Sequence, residues 1–479
     1  MTNLSESGSD LNREELYRID REVVWHAFSQ MADYDGIIIE SAQGCWLTDI
    51  HGNRYLDGVS SLWCNVHGHR HPRIDAAIIA QLQRVAHVTS LGMSNPTTID
   101  LAKRLVKLAP EGLEHVFFSS DGASAVEVAM KMAFQYWQQI DVPEPNRTTF
   151  LAVGNAYHGD TLGAVSVGGV SRFHAMFHPL LFPVLRGPCP DSYRHGLVDI
   201  TIHSNSRCGA TCECSTKQDD CRLSSFYLES YRRILQQHGA SIVAIIIEPL
   251  VQGAAGMVMH PPGFLRGLKN LAVEFNTLLI ADEVAVGMGR TGTLFACKYE
   301  NVSPDFLVLG KGLTGGYLPM SATLTTTKVW QAFLGDYSQS RSFFHGHTYG
   351  GNPLAAAAAC ATLDLFDEEK TLQKLPEKAA NLQALLEPLR DHPHVGDIRQ
   401  IGLIAAIELV ADKHYKIGYP WTERRAQAVC KVAKRHGVWL RPLGNVIVIM
   451  PPLSVEHDQL RQIVDAINIG IQETLGRVL

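Results

Sequence analysis

Nowhere in this 479-residue chain does an apolar run approach the roughly eighteen residues that a membrane-spanning helix requires. Basic charge is scarce as well. A net charge of -6, spread along the chain, leaves no positive face for nucleic acid. The opening Met1-Thr2-Asn3-Leu4-Ser5-Glu6-Ser7 has neither a cationic n-region nor an apolar h-region, so a cytoplasmic location is expected. Ten cysteines are too few, for this length, to form a disulfide scaffold. Internal repeats and long linkers are also missing. What the chain has in quantity is apolar material: at 46% hydrophobic it can bury a large core, expected as two domains.

That apolar material comes in short runs separated by helical stretches. Val116-Phe117-Phe118, Phe150 to Val153, Ile242 to Ile247, Leu278 to Ala281 and Leu307-Val308-Leu309 read as buried strands. Ala123 to Trp137 reads as a helix with Val126, Met130 and Ala133 on its apolar face. Uninterrupted apolar strands between helices specify an α/β fold, a largely parallel sheet covered on both faces. Ligands gather where the strands of such sheets end. Glu248, Asp282 and the turn at Ser119 each end a strand, so their chemistry is expected to converge.

Lys311 is the most informative residue. It lies between Gly310 and Gly312 after the hydrophobic approach Phe306-Leu307-Val308-Leu309. Burial disfavours an ammonium and frees the amine to attack a carbonyl, the usual route to a Schiff base. Asp282 then suits the acid partner of a pyridinium nitrogen, the second element of pyridoxal-phosphate chemistry. Ser119-Ser120-Asp121-Gly122-Ala123-Ser124 can cradle a phosphate, because the first N–H groups of the following helix are free. Taken singly, each feature also fits something plainer: a surface lysine in a turn, or an ordinary capped helix start.

Three patterns point elsewhere and are discounted. Gly287-Met288-Gly289-Arg290-Thr291-Gly292 fits G-x-G-x-x-G, but it starts five residues after its strand. The following Thr293-Leu294-Phe295-Ala296-Cys297 reads as extended, where a dinucleotide site needs a helix. His67-Gly68-His69-Arg70-His71 and His345-Gly346-His347 have no carboxylate in ligand register and read as ordinary hydrogen-bonding histidines. Half of the cysteines fall between Cys189 and Cys221. The spacing Cys208-x3-Cys212-x-Cys214-x6-Cys221, with His195 and His203 nearby, could hold zinc but lacks paired C-x2-C knuckles. An insertion carrying reduced thiols is the favoured reading, and no metal site is expected.

Ala156-Tyr157-His158-Gly159-Asp160, Ile247-Glu248-Pro249-Leu250-Val251-Gln252-Gly253, Ala281-Asp282-Glu283-Val284, Gly287 to Gly292 and Gly310-Lys311-Gly312 together resemble the class III pyridoxal-phosphate aminotransferases. The resemblance runs from about Trp25 to about Leu475. Within that family, Trp25-His26-Ala27-Phe28, Asp57 to Trp63, Lys131 to Trp137 and Trp439 to Gly444 resemble the members of biotin biosynthesis that aminate 8-amino-7-oxononanoate. A class III enzyme for an ω-amino acid or polyamine is the nearer rival reading. A non-catalytic pyridoxal-phosphate-binding regulator is the other.

The resemblance implies pyridoxal 5'-phosphate as cofactor and the fold-type-I architecture of pyridoxal-phosphate transferases. Residues 1–59 and 369–479 would form the small domain and 60–368 the large one. It implies a homodimer with shared active sites, acting on a small-molecule keto acid and an amino donor. Lys311 would carry the Schiff base and shuttle the proton, Asp282 would keep the pyridine nitrogen protonated, and Tyr157 would stack on the ring. Gly122 and Ala123 would bind the phosphate, joined by His347 and by Thr348 from the partner subunit. Phe28, Leu62, Trp63, Tyr157, Asp160, Lys311 and Gly346 would contact substrate, with Arg441 clamping its carboxylate. Some relatives have tyrosine, tryptophan, serine and proline where this chain has Phe28, Leu62, Ala123 and His347. The loss of an aromatic face at Leu62 leaves the donor between S-adenosylmethionine and lysine and tilts the reading toward lysine.

Overall fold

Leu278-Leu279-Ile280-Ala281 offers water no polar side chain, and the chain places it at the centre of a sheet. The computed structural model describes residues 12–194 and 218–476. Seven strands lie in the order Leu113–Ser119, Ser321–Thr326, Phe306–Leu309, Leu278–Asp282, Ile242–Ile247, Thr149–Val153 and Leu185–Gly187. Neighbours are parallel except around Ser321–Thr326, which runs antiparallel on both sides. Alternate side chains feed two cores. Leu278 and Ile280 pack with Val126, Met130 and Ala133 of the helix Gly122–Gln139, whereas Leu279 and Ala281 join the larger cluster on the opposite face. Each fully buried leucine or isoleucine here contributes roughly 1.5–3 kcal/mol.

Two further sheets flank this one. Ile39–Gln43, Trp46–Asp49 and Arg54–Asp57 form a meander whose last strand pairs in parallel with Val438–Trp439, so segments far apart in sequence share one sheet. Val395–Ile401, Ile404–Asp412, Val446–Ile449 and Pro442–Leu443 form the other, with Ile417–Gly418 beside it. No helix among the described residues is long and apolar enough to cross a membrane.

One sequence expectation fails here. Thr293–Cys297 is not extended: it bends and enters the 3-10 turn Ala296–Glu300. The cause is the buried Glu283, whose carboxylate accepts the N–H groups of Ala296 at 2.6 Å and Cys297 at 2.7 Å. Burial pushes the pKa of that carboxyl up to about 7. Cys208, Cys212, Cys214, His195 and His203 lie outside the described residues, as does the side chain of Cys221. Among the described residues, no group of three or more His, Cys, Asp or Glu could hold a metal ion.

Candidate active site

The strand Leu278–Asp282 ends in a carboxylate because the chain leaves the sheet there, and Asp282 is buried as it does so. Its Oδ1 accepts the Val284 N–H at 3.0 Å and its Oδ2 lies 2.7 Å from His158 Nδ1. Both side chains are shielded from water, and among the described residues His158 Nε2 has no partner. One strand over, Phe306–Leu309 leads through the extended Gly310 to Lys311. That residue opens the 3-10 turn Lys311–Thr314 with φ of +38°. A lysine held at positive φ is strained, and such strain gathers at functional sites.

Burial lowers the pKa of the Lys311 amine, while the charges of Asp282 and Glu248 pull it back up. Its Nζ stands 5.3 Å from the centre of the Trp63 ring. Glu248, at the end of a third strand, turns one carboxylate oxygen to Tyr157 N–H and the other to Gly253 N–H, both at 2.9 Å. Burial carries its pKa up to about 7. Tyr157 stacks on His174 and donates its hydroxyl to Asp160 Oδ2 at 2.7 Å. Burial, followed by that hydrogen bond, raises the phenol's pKa well above its ordinary value.

The approach of this helix start to the site follows from one absent side chain. Asp121 caps the helix Gly122–Gln139 by accepting the Ser124 N–H at 3.0 Å. Gly122 and Ala123, in its first turn, have no helical carbonyl to bond. A Cβ on Gly122 would lie 2.6 Å from Val284 Cγ1, so only glycine lets this turn approach the strand that carries Asp282.

Trp63, Gly122, Ala123, Tyr157, Asp160, Asp282 and Lys311 line one cavity of about 750 Å³. That size falls within the usual range for cofactor and substrate pockets. Six other expected residues do not line it in the single chain. Gly346 and Thr348 are exposed, and His347 Nδ1 lies 3.2 Å from Ser120 Oγ. Leu62 is 43% exposed, beside Trp63 yet outside the cavity. Phe28 and Arg441 stand further out, the guanidinium carbon 6.0 Å from the Phe28 ring. Phe173 fills the gap between Phe28 and Tyr157, edge-on to both.

Glu248 joins the cavity as its place at a strand end implied. His158 escaped the sequence reading, its place beside Tyr157 being the one local hint of its contact with Asp282. The histidines of His67-Gly68-His69-Arg70-His71 and His345-Gly346-His347 act as hydrogen-bonding groups, although carboxylates do reach the first cluster through the fold. His69 Nε2 is 2.9 Å from Asp57, and His71 Nε2 is 3.0 Å from Glu369.

A buried amine beside a carboxylate, an aromatic ring and a free helix N-terminus fit an aldehyde-bearing pyridine phosphate. Residues 29–471 match the family model for class III aminotransferases. The chain belongs to the class III aminotransferases. It is 49% identical to the adenosylmethionine-8-amino-7-oxononanoate aminotransferase of Nitratidesulfovibrio vulgaris, over 95% of this chain and 81% of that one. A crystal structure of the enzyme of that name from Methanocaldococcus jannaschii superposes with a TM-score of 0.87 at 38% identity, covering 97% of this chain and all of that one. An amine transaminase from an uncultivated Pseudomonas species, solved in its PLP-bound form, gives 0.85 at 33%, over 95% and 99%. The class III aminotransferases are pyridoxal 5'-phosphate enzymes of fold type I, and this chain is one of them.

Proposed function

We propose that the chain transfers an amino group to 8-amino-7-oxononanoate, giving 7,8-diaminononanoate for biotin biosynthesis, with S-adenosylmethionine as donor. The observation that carries the reading is the Lys311–Asp282 cavity in a chain 49% identical to an enzyme named for that reaction, against 33% for the amine transaminase. Bound cofactor supplies an aldehyde and an electron-accepting ring. The residues do the rest. Lys311, its ammonium disfavoured by burial, offers a free amine and then carries the proton. Asp282, pinned by His158, would pair with the ring nitrogen, and the first turn of Gly122–Gln139 would hold the phosphate. Tyr157, backed by His174 and tied to Asp160, would cover the ring.

Lysine as donor is the second reading, favoured by an aliphatic Leu62 that offers adenine and sulfonium no aromatic face. Because Leu62 stands outside the cavity, that argument loses weight. A donor screen separates the two. Purified enzyme, cofactor and 8-amino-7-oxononanoate should yield the diamine with S-adenosylmethionine. Product with lysine alone would change the donor, and none with either would sink the substrate assignment. A half-reaction with any amine rules out a purely regulatory protein.

Arg441 is the proposed clamp for the keto acid's carboxylate, because a guanidinium holds a carboxylate in two places. Loss of such a contact costs about 1.5–3 kcal/mol, so Arg441→Ala should raise the KM for the keto acid roughly 10- to 150-fold. An unchanged KM would put the clamp elsewhere.

The enzyme is further proposed to be a homodimer in which Thr348 of the partner subunit reaches the phosphate. Leu91, Met93, Phe344 and Tyr349 are all more than 60% exposed, more apolar surface than a monomer usually shows in one region. The two segments that carry them adjoin, since Tyr349 packs on His87 and Asn352 bonds to Ala86. Sedimentation equilibrium should give twice the chain mass, and an active monomer would refute the arrangement.

A further inference from the structure

The run Gly287 to Gly292 puts a guanidinium in the core. Arg290 is 1% exposed. Its Nη2 donates to Ser60 Oγ at 2.9 Å and to Asn65 O at 2.6 Å, and its Nη1 donates to Pro451 O at 2.5 Å. All three acceptors are neutral oxygens, so the group does not stand there as half of an ion pair. Burying an arginine is costly, and here only its hydrogen bonds to neutral oxygens offset the cost.

The oxygens belong to a loop that would not keep its shape alone. Ser60, Ser61 and Trp63 have φ of +46°, +65° and +63°, a region that residues with a Cβ rarely adopt. Such conformations persist where the surroundings over-determine them. Asp57 grips one side, accepting the Ser61 N–H at 2.7 Å and the Val59 N–H at 3.3 Å. Ser60 Oγ donates to Met450 O at 2.7 Å while accepting from Arg290. Arg290 grips the other side, at both ends of the turn. Trp63, between those ends, is pressed against Gly253 and stands over Lys311.

We infer that Arg290 is a positioning residue: by tying Ser60 to Asn65 it fixes the strained turn that sets Trp63 over Lys311 and shapes the substrate side of the cavity. The inference rests on the proposed reading of Lys311 as the reacting amine. Burial lowers the guanidinium's pKa only to about 10, so the fork stays charged at neutral pH and keeps its five donors. An ammonium at the same place has no fork and cannot reach both ends of the turn at once.

The test is a double-mutant cycle on cofactor-loaded enzyme. Arg290→Lys should retain a cooperative melt and the absorbance of the lysine-bound cofactor. It should lower kcat/KM for the keto acid about 10-fold or more, the usual result of misplacing a wall of the site. In a Trp63→Phe background the same change should cost far less, because the side chain it positions is already altered. Ser60→Ala removes Arg290's acceptor together with the hydroxyl's bond to Met450 O, and should show the same coupling at smaller size if Arg290→Lys fails to fold. Penalties that simply add with Trp63→Phe, in either variant, would overturn the inference. So would kcat/KM within about twofold of the parent in a folded Arg290→Lys. An active Lys311→Ala would instead break the underlying reading of the site, whichever way the cycle comes out.

Discussion

Lys311→Ala should keep the cofactor but lose turnover by at least roughly 10²–10⁴-fold, the part owed to proton transfer alone. The larger part of the loss comes from removing the covalent link. The proposed phosphate and ring contacts would not pass through Lys311: the first turn of Gly122–Gln139, Tyr157 and Asp282 all come from other segments of the chain. Cofactor binding and catalysis are therefore expected to separate in this variant. Burial of the lysine sharpens the contrast, because among the described residues no other lysine or arginine lines the cavity. Spectroscopic retention of cofactor together with near-parental rates would remove Lys311 from its role.

Asp282→Asn should be almost as severe. The amide keeps the shape of the side chain and can still accept the Val284 N–H, so the fold has little reason to change. What disappears is one negative charge. A carboxylate against a cation within about 4 Å, in a protein site of effective dielectric near 20, is worth about 4 kcal/mol. Losing that support for a protonated ring nitrogen should cost kcat about a thousandfold. Stopped-flow measurement of the donor half-reaction checks it, and a loss below about tenfold would mean the charge is not used.

Much of the sheet was legible because its strands are buried on both faces and must be apolar throughout. Ile242 to Ile247 and Leu278 to Ala281 could scarcely be anything else. Ser321–Thr326 escaped for the opposite reason. It is as buried as its neighbours, but it satisfies Ser321, Thr323 and Thr325 by donating to the carbonyls of Asp121, Ala125 and Asp305, so no apolar run marks it. At the site, Lys311, Asp282 and Gly122 stand out through glycine and strand-end patterns, whereas Tyr157 was expected from the family resemblance. His158 and Arg290 were not, since their partners lie far away in sequence. Leu62, Phe28, Arg441 and the Gly346–Thr348 segment took their assignments from family resemblance, and the single chain leaves them outside the cavity.

The parallel pairing of Arg54–Asp57 with Val438–Trp439 sets an order of events during synthesis. Ser60 and Met450, which hydrogen-bond across the same seam, are 390 residues apart. While the chain emerges from the ribosome, the large sheet can close from consecutive elements, but the edge of Arg54–Asp57 stays bare until the distant strand arrives. The turn that carries Trp63 therefore matures last, after the lysine and carboxylate it will face are already in place. A nascent chain stalled before Val438 is expected to lack the ordered turn that sets Trp63 over Lys311.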